Sequence, residues 1–501
     1  MEKGPEADLL IIGGGINGAG IARDAAGRGL KVWLCEQDDL AGATSSASSK
    51  LIHGGLRYLE YYQFRFVREA LAERETLLGI APHIIRPASF ILPLGLGSRS
   101  AFVIGAGLLL YDWLARSKHL PRSCRLNLRK APEGRPLQPE FTTGFAYSDC
   151  RVDDSRLVVL NALDAQERGA VIHTRTKAIE ARREIRHWRV TLLDLRKKVM
   201  KAVTARALVN AAGPWAGTVL GSLHGRDESP KLRLVKGSHI IVPRLYEGAH
   251  SYVLQNDDRR IIFIMPYETD FCLIGTTEVP FEGDPATAEI SRGETAYLCD
   301  VVSRYFRRPL YPRDVVKSFA GVRPLAEDGA TSASAASRDY TLMLDAPKGE
   351  APLLSVLGGK ITTYRRLAED VLTRLAPILG PFGESWTATT ALPGGDIVAD
   401  DYESFLNLFK AQHPWLSPTL AGRLAGAYGT RAAIILKGAK SEKALGHAFG
   451  AGLFQAEVDY LIEQEFAQTA EDILWRRTKL ALRLSQQQVE ALSVYVESRT
   501  A

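Results

Sequence analysis

The 501-residue sequence predicts an α/β protein with an all-helical region at its C-terminal end. Residues 8–36 place a glycine-rich turn and a helix-like segment between two short apolar runs, which is the order of a parallel βαβ unit. Residues 170–213 and 236–282 are rich in short strand-like segments, and residues 402–501 consist of amphipathic helical segments. Strands and helices therefore do not alternate throughout, and a chain of this length is expected to form two or three domains.

A glycine motif of the dinucleotide-binding type begins directly after the first apolar run, residues 9–12. Gly13, Gly15 and Gly18 have the spacing in which the first glycine permits a tight turn, the second lets the backbone approach a pyrophosphate, and the third lets the helix pack against the strand. The N-terminus of that helix offers amide groups and a partial positive charge to phosphates. Glu36 ends the second apolar run, where a carboxylate can accept hydrogen bonds from a ribose. The complete order of strand, turn, helix, strand and acid predicts that the chain binds an adenine dinucleotide.

Residues 38–60 favour the longer dinucleotide, FAD, over NAD. The segment carries small hydroxyl residues ahead of a predicted helix that Gly54 and Gly55 end: Thr44, Ser45, Ser48 and Ser49. On composition alone this is an ordinary solvated loop. Beside a dinucleotide fold, the hydroxyls and the N-terminus of the predicted helix can bind the second phosphate of a long cofactor.

Two further turns suit a flavin nucleotide. Gly213, after the apolar strand in VNAAGPWAG, lets the chain pass close to an adenine or a ribose, although alone it is an ordinary strand-end turn. Gly359 leads into a helix predicted to carry Lys360 and Thr362 in its first turn. The dipole of such a helix, with help from Lys360, would stabilise the negative charge that a flavin pyrimidine ring gains on reduction.

The composition narrows the class of protein and of partner. An apolar fraction of 46% is typical of a globular chain, and the first residues lack a charged and then apolar leader, so we expect a cytosolic location. The net charge of +6 suits anionic small molecules, anionic lipid or nucleic acid. Zinc-finger spacing, an aromatic RNA-binding signature and a long basic tail are missing from the sequence, so we expect no nucleic-acid partner. The five cysteines are scattered without metal-ligand spacing, and we expect no metal site.

Eight segments spread over most of the chain resemble the aerobic, FAD-dependent glycerol-3-phosphate dehydrogenases. They are GGGINGAGIARDAAGRGL, ATSSASSKLIHGGLRYLE, LVKGSHIIVP, IGTTEV, AGVRPL, SRDYTL, GGKITTYRRLAED and DILWRRTK. The second segment is highly specific, whereas a glycine motif alone is not. The resemblance extends from about residue 8 to beyond residue 480 without a large gap.

The resemblance implies a fold similar to that of glycine and amino-acid oxidases, with an added C-terminal domain. We expect a discontinuous Rossmann-like FAD-binding domain within residues 1–390, an inserted substrate domain built on an antiparallel sheet, and an all-helical domain over residues 391–501. The expected segments are residues 1–85, 148–230 and 318–390 for the FAD-binding domain and residues 86–147 and 231–317 for the substrate domain.

The implied reaction oxidises sn-glycerol 3-phosphate to dihydroxyacetone phosphate by hydride transfer from C2 to flavin N5, with the electrons passed to membrane quinone. Such a reaction needs a base beside the C2 hydroxyl, cations for the phosphate and a positive field near the flavin. His239 is the candidate base because imidazole accepts a proton at neutral pH, although a histidine on a strand is as often a hydrogen-bonded core residue. Arg323 is the candidate for stabilising the developing alkoxide or for holding the phosphate.

Cationic side chains are the candidates for binding the substrate phosphate: Arg57, Arg338 and Lys360. Tyr58 and Thr276 would add hydroxyl donors. A single arginine is normally explained as a surface charge. Arg57 and Lys360 are favoured because each closely follows a Gly-Gly pair at a predicted cofactor-facing turn.

Three other functions stay open on these residues. A glycerol-3-phosphate oxidase of the same architecture would pass the electrons to oxygen. A flavin amine oxidase would act on a carboxylate substrate and would need fewer cations. A non-catalytic dinucleotide-binding scaffold would carry the nucleotide without ever reducing it.

Residues 101–110 form an apolar run that is too short to span a bilayer, which takes about twenty residues. Tyr111 and Trp113 lie at its end, and basic residues flank it. Such a helix suits the lipid interface or the core of the substrate domain. Because the resemblance implies a quinone acceptor, we expect a peripheral protein on an anionic lipid surface, at the inner face of the cytoplasmic membrane.

The segment DILWRRTK carries no assigned function. Its Trp475, Arg476 and Arg477 are explained equally well by packing and by surface exposure. A homodimer contact through the C-terminal helices is the other prediction for this region.

Overall fold

The computed structural model describes residues 5–95, 100–117, 119–224, 232–258, 260–326, 339–397 and 401–500. The strands of these residues are, in chain order, β1 (Ala7–Ile12), β2 (Val32–Cys35), β3 (Leu51–Ile52), β4 (Ile85–Leu94), β5 (Cys124–Asn127), β6 (Thr143–Val152), β7 (Val171–His173), β8 (Thr176–Glu184), β9 (His187–Asp194), β10 (Met200–Asn210), β11 (Leu232–Pro243), β12 (Ser251–Gln255), β13 (Ile261–Tyr267), β14 (Phe271–Gly275), β15 (Val279–Pro280), β16 (Lys317–Ala326), β17 (Tyr340–Asp345), β18 (Leu353–Gly358), β19 (Ala448–Gly450) and β20 (Leu453–Phe454). The α-helices are α1 (Ile16–Gly27), α2 (Phe64–Ile80), α3 (Ala101–Ala115), α4 (Asp154–Glu167), α5 (Ala216–His224), α6 (Arg292–Tyr305), α7 (Tyr364–Leu379), α8 (Tyr402–Gln412), α9 (Pro418–Tyr428), α10 (Ala432–Leu436), α11 (Gln455–Gln464) and α12 (Gln486–Thr500).

The first sheet is mainly parallel and contains the βαβ unit predicted from the sequence. Its order is β17, β18, β10, β1, β2 and β7, where β17 is antiparallel at one edge and the hairpin of β8 and β9 attaches to β10. Helix α1 follows β1 and packs against α4 and α7. The chain continues from β1 to β2 on one side, while β10 lies on the other side of β1. The order of the strands thus reverses direction at β1. In open sheets of this kind, ligands bind beyond the carboxyl ends of the strands where the order reverses.

The second sheet is largely antiparallel. Its order is β15, β11, β14, β13, β12, β4, β6 and β3, with β16 beside β11 and β5 beside β6. Strand β11 is hydrogen-bonded on both sides, by β14 and β16, so that His239 lies opposite Gly275 on one side and Phe319 on the other. A strand bonded along both edges is a rigid support for the side chains that it carries. The domain boundaries drawn from the sequence stay a prediction.

The C-terminal region is helical, as predicted, apart from a short hairpin of β19 and β20. Its helices enclose an apolar core to which Leu424, Leu461 and Ile473 contribute. A buried ion pair joins this region to α4, because Arg156 donates to both carboxylate oxygens of Glu465 and neither side chain is exposed. Charges are retained in such an interior only when they are paired and hydrogen-bonded.

The helix predicted ahead of Gly54 does not form. Residues 40–48 are a series of turns and bends, and the short strand β3 follows them. The hydroxyl side chains explain the difference, because they bond to nearby backbone groups in competition with a helix. Ser46 Oγ donates to the carbonyl oxygen three residues before it, and Lys50 N donates to Ser48 Oγ.

Replacing Gly18 by alanine should disrupt the packing of α1 on β1. A Cβ at this position would lie 1.9 Å from Gly13 O, so the helix must move away, and overpacking of this kind costs about 1–3 kcal/mol or more. We expect Gly18→Ala to lower the midpoint of thermal unfolding. Gly422→Ala is the matched control, because Gly422 also lies within a helix and an added Cβ would have no atom within 4 Å. The control should unfold at the same temperature or slightly higher, and equal destabilisation of the two variants would contradict the prediction.

Candidate active site

The turn between β1 and α1 has the geometry that its glycines predict. Gly13 has a φ of +114°, and a Cβ there would lie 2.5 Å from Ala211 O. Gly15 directly precedes α1, and Gly18 leaves room for the backbone of Gly13. Because the first amide groups of a helix lack an intrahelical acceptor, the N-terminus of α1 presents N–H groups beyond the carboxyl end of β1. A turn of this kind binds the phosphates of a dinucleotide.

Glu36 lies beside this turn, directly after β2. Gly14 N donates to Glu36 Oε2 at 2.6 Å, and Asp38 N donates to Glu36 Oε1 at 2.8 Å. Burial raises the pKa of Glu36 to about 7, while the hydrogen bond from Gly14 opposes the increase. The carboxyl group is therefore held next to the glycine turn, where the sequence predicts a ribose partner.

The hydroxyl loop, residues 44–49, connects the glycine turn to the second sheet. Ile16 N donates to Ser45 Oγ at 3.0 Å, which places Ser45 at the N-terminus of α1. Thr44 Oγ1 donates to Val322 O on β16 at 2.7 Å. The loop thereby bridges the two sheets.

The far end of the hydroxyl loop reaches His239 on β11. Ser49 Oγ lies 3.0 Å from His239 Nε2, at hydrogen-bond distance, whereas Ser48 Oγ donates to Asp154 Oδ2 at 2.7 Å. The imidazole is fully buried and stacks on the ring of Phe319, with the two centroids 5.0 Å apart. Its Nδ1 has no hydrogen-bond partner among the described residues.

The surroundings of His239 keep its imidazole neutral. Burial lowers the pKa of His239 well below 6.5, and the positive charges of Arg323 and Lys50 lower it further. A neutral imidazole has one nitrogen that donates and one that accepts a proton. Because a buried polar atom without a partner is unfavourable, Nδ1 favours a ligand that brings a hydrogen-bonding group.

Arg323 lies on β16, across from the start of β11. Its Nη2 donates to Thr276 Oγ1 at 3.2 Å, and its Nη1 lies 3.5 Å from Glu278 Oε1. Gly237 on β11 leaves room for this arrangement, since a Cβ there would lie 2.8 Å from Arg323 Nη2. The guanidinium is thus held in place by a hydroxyl and a carboxylate beside His239.

The turn between β18 and α7 packs against the first turn of α1. Asn17 Nδ2 donates to Gly358 O at 3.2 Å, and Gly359, with a φ of +101°, would bring a Cβ within 3.1 Å of the same nitrogen. Asn17 Oδ1 is buried and has no partner among the described residues. Helix α7 itself begins at Tyr364, after a 3-10 turn over Ile361–Thr363.

Lys360 and Thr362 bring this turn against the segment HGGLRYLE. Lys360 Nζ donates to His53 O at 2.6 Å, and His53 N donates to Thr362 Oγ1 at 3.4 Å. Lys360 Nζ also lies 5.9 Å from the centroid of the Tyr58 ring. Arg57 and Tyr58 share one 3-10 turn, which follows directly. Two segments that are 307 residues apart in sequence at the lysine contact therefore meet.

Gly213 begins a short 3-10 turn that packs against β16. Gly213 has a φ of +54° just after β10, and an added Cβ there would have no atom within 4 Å. Arg338 lies outside the described residues. Within the described ranges, no group of His, Cys, Asp or Glu side chains is arranged to hold a metal ion.

A buried network that the sequence reasoning missed supports the Gly54 turn. Tyr111 OH accepts from Gly54 N at 2.9 Å and donates to Asp149 Oδ2 at 2.8 Å, while Arg74 Nη1 donates to Asp149 Oδ1 at 2.7 Å. The prediction that Tyr111 lies in the lipid interface is wrong, because its side chain is buried. Helical periodicity could have shown this, since Tyr111 follows the buried Leu108 on the same face of α3.

These contacts form one continuous site where the two sheets meet, and its donor set fits a flavin dinucleotide. The N-terminus of α1 and the hydroxyl of Ser45 suit phosphates, and Glu36 suits a ribose. Asn17 Oδ1 and His239 Nδ1, which have no hydrogen-bond partner within the part of the chain that the structure describes, offer hydrogen-bonding atoms to a ligand. The cation of Lys360 lies beside the turn predicted to face the flavin.

The proteins that this chain resembles also bind FAD or belong to families of FAD-dependent enzymes. Residues 8–365 match the family model of FAD-dependent oxidoreductases, and residues 385–498 match that of the C-terminal domain of alpha-glycerophosphate oxidase. A glycerol-3-phosphate dehydrogenase of Pseudomonas aeruginosa is 52% identical over 491 residues, which cover 98% of this chain and 95% of the relative. A D-erythritol 1-phosphate dehydrogenase of Brucella abortus is 50% identical over 97% of this chain and 97% of the relative.

Solved structures share the fold. A glycerol-3-phosphate dehydrogenase of Bacillus halodurans complexed with FAD has a TM-score of 0.79 at 27% identity, over 99% of this chain and 90% of that chain. A glycine oxidase of Geobacillus kaustophilus has a TM-score of 0.54 at 20% identity, over 75% of this chain and 98% of that chain. The predicted fold class is confirmed, and FAD is the cofactor. The chain is an FAD-dependent oxidoreductase and belongs to the glycerol-3-phosphate dehydrogenase family.

Proposed function

We propose that this protein oxidises sn-glycerol 3-phosphate to dihydroxyacetone phosphate by hydride transfer from C2 to N5 of FAD. The observation that carries the proposal is the buried His239, whose Nδ1 has no partner among the described residues and lies in the same site as Arg323. Oxidation of a secondary alcohol requires a base for the hydroxyl proton and a positive charge for the developing alkoxide. The names of the relatives support the choice of substrate.

In the proposed mechanism, His239 Nδ1 takes the proton of the C2 hydroxyl. His239 Nε2 lies 3.0 Å from Ser49 Oγ, and we assign the ring proton to Nε2, so that Nε2–H donates to Ser49 Oγ and the lone pair stays on Nδ1. Arg323, held by Thr276, stabilises the negative charge that develops on the substrate oxygen. FAD, when bound, supplies the hydride acceptor.

The other predicted residues keep their roles as proposals. The phosphate of the substrate is held by cations and hydroxyls drawn from four segments: Arg57, Tyr58, Thr276, Arg338 and Lys360. The cofactor is held by the glycine turns, Glu36 and the hydroxyl side chains near α1 and α7: Gly13, Gly15, Gly18, Glu36, Thr44, Ser45, Ser48, Ser49, Gly213, Gly359, Lys360 and Thr362.

A longer polyol phosphate is the second candidate substrate. The D-erythritol 1-phosphate dehydrogenase that is 50% identical to this chain favours it. A phosphate and a secondary alcohol are common to both substrates, so the same base and cations would serve either of them. The two candidates differ in the room that the site leaves beyond the reacting carbon.

We further propose that the electrons pass to membrane quinone and that α3 docks the protein on an anionic lipid surface. Phe102, Leu109 and Trp113 on this helix are 84%, 70% and 64% exposed. Exposed basic side chains follow α3, among them Arg116 and Arg122. An apolar helix face with a basic flank suits the interface of an anionic bilayer. None of the helices in the described ranges is long and apolar enough to cross a membrane.

An anaerobic titration of the holoenzyme tests the reaction. We expect sn-glycerol 3-phosphate to bleach the flavin absorbance at about 450 nm, because the oxidised isoalloxazine ring absorbs there. D-erythritol 1-phosphate is titrated in parallel to compare the two candidate substrates. Rapid recovery with a quinone analogue and slow recovery in air would support the dehydrogenase, whereas the reverse would support an oxidase. Flavin that neither phosphate bleaches would contradict both substrates.

Replacing His239 by glutamine should slow flavin reduction by about 100-fold or more while changing the substrate Kd far less. Stopped-flow reduction at several substrate concentrations separates the two quantities. His250→Gln is the matched control. His250 directly precedes β12 of the second sheet, and its Nε2 lies 2.9 Å from Tyr252 OH rather than beside Ser49 or Arg323. Equal losses of rate and of affinity in His239→Gln would contradict its role as base.

The reduction rate should also stay constant as the pH falls from about 8 to 6.5 at saturating substrate. The pKa of His239 is lowered by burial, so its neutral form is fully present above pH 6.5 and is lost only as the pH falls through the lowered pKa. The measurement is a pH series of single-turnover flavin reduction. A rate that halves at pH 6.5 or above would contradict the prediction.

Replacing Leu109 by glutamate should weaken binding to vesicles that contain anionic phospholipid by about tenfold, because an inserted leucine contributes about 1.5–3 kcal/mol. Co-sedimentation at low salt measures the bound fraction. Val494→Glu is the matched control, since Val494 on α12 is 68% exposed and Leu109 is 70% exposed. The same loss in both variants would mean that the added charge, and not the α3 face, reduces binding.

A further inference from the structure

Asp39 is a buried carboxylate that two arginines of the C-terminal region bind. It lies three residues after Glu36 and is 1% exposed. Arg477 donates through both Nη atoms, with Nη2 2.8 Å from Asp39 Oδ1, and Arg476 Nε donates to Asp39 Oδ2. Both arginines belong to a π-helical turn over Asp472–Arg477. The segment that carried no function in the sequence is therefore joined to the loop after β2.

The C-terminal side of this contact is rigid. Arg477 also donates from Nε and Nη2 to Glu465 O, at 3.1 and 2.7 Å. Glu465 is paired in turn with Arg156 on α4. The guanidinium of Arg477 is thus held between a carbonyl oxygen and the Asp39 carboxylate, and it has little freedom to follow a displaced loop.

A second contact ties the same loop to the same turn. Arg175 pairs with Asp38 and with Asp472, and its Nη2 lies 2.7 Å from Asp472 Oδ1. Two consecutive acids of the loop, Asp38 and Asp39, are therefore connected to the Asp472–Arg477 turn.

The other side of the loop determines where the FAD-binding groups lie. Asp38 N donates to Glu36 Oε1, Gly14 N donates to Glu36 Oε2, and Ala41 N donates to Gly14 O at 3.1 Å. A movement of residues 38–41 would therefore displace both the Glu36 carboxyl group and the glycine turn. Asp39 would move toward water if its arginines were removed, because an unpaired buried charge is strongly unfavourable.

We propose that the Asp472–Arg477 turn is a clamp that retains FAD by holding the loop after β2 in its binding position. Arg476, Arg477 and Asp39 are positioning residues, since they act through Glu36 and Gly14. The clamp acts on the adenosine end of the cofactor, where a ribose and the phosphates are bound. It gives the C-terminal region a role in the holoenzyme that does not depend on which substrate reduces the flavin.

Release of FAD from Arg477→Met holoenzyme tests the clamp. The holoenzyme is diluted, free flavin is separated from the protein by ultrafiltration at set times, and its absorbance gives the fraction of FAD released. No substrate is present, so the result is independent of the proposed reaction. We expect release at least about tenfold faster than from the unmodified protein.

Arg423→Met is the matched control for the loss of a buried ion pair. Arg423 Nη1 donates to Glu457 Oε1 at 2.6 Å, and both residues lie in the C-terminal region, so this variant loses stability without touching the loop. Normal FAD release from Arg423→Met and fast release from Arg477→Met support the clamp. Equal release rates in the two variants overturn it, since any destabilised C-terminal region would then have the same effect.

Two further variants keep the proposal testable if Arg477→Met does not fold. Arg476→Gln leaves the bidentate Arg477 pair intact and should release FAD at an intermediate rate. Asp39→Asn keeps the shape of the side chain and removes its charge, so it should also speed release. Normal release from both variants overturns the clamp.

Discussion

The close approach of α1 to β1 is the constraint on which the rest of the site depends. Gly13 O and the Cα of Gly18 are so close that no side chain fits between them. This contact places the N-terminus of α1 beyond the carboxyl end of β1, where Glu36 and Ser45 reach it. The turn before α7 then packs on Asn17. Each group that suits a phosphate, a ribose or a flavin is therefore positioned relative to this one helix.

Rigid β-strands, rather than loops, support the groups proposed for chemistry. His239 lies on β11 between two hydrogen-bonded neighbours, and Arg323 lies on the adjacent β16. Burial of the imidazole and the nearby positive charges keep it neutral. The same low-dielectric surroundings that disfavour a charged imidazole strengthen the interaction of the arginine with a developing negative charge. These surroundings suit the base and the cation that we propose for the reaction.

Buried ion pairs integrate the C-terminal region with the remainder of the chain. Arg156 and Glu465 are completely buried, and Arg477 connects the same glutamate's backbone to Asp39. Breaking such a pair leaves an uncompensated charge in the interior, which is far less favourable than losing a surface pair. The contact therefore restricts how the C-terminal helices can be placed. It also links the loop after β2 to residues far away in the sequence.

The sequence by itself determined the cofactor class and the first βαβ unit, because the spacing of Gly13, Gly15 and Gly18 acts within one turn of chain. Predictions from the sequence were wrong where contacts of individual side chains override the local pattern of residues. The hydroxyls after Thr44 bond to backbone groups and prevent the predicted helix, and Tyr111 faces the interior instead of lipid. Only the tertiary structure decided the neutral state of His239 and the pairing of Asp39 with Arg477, since both depend on burial and on contacts between distant segments.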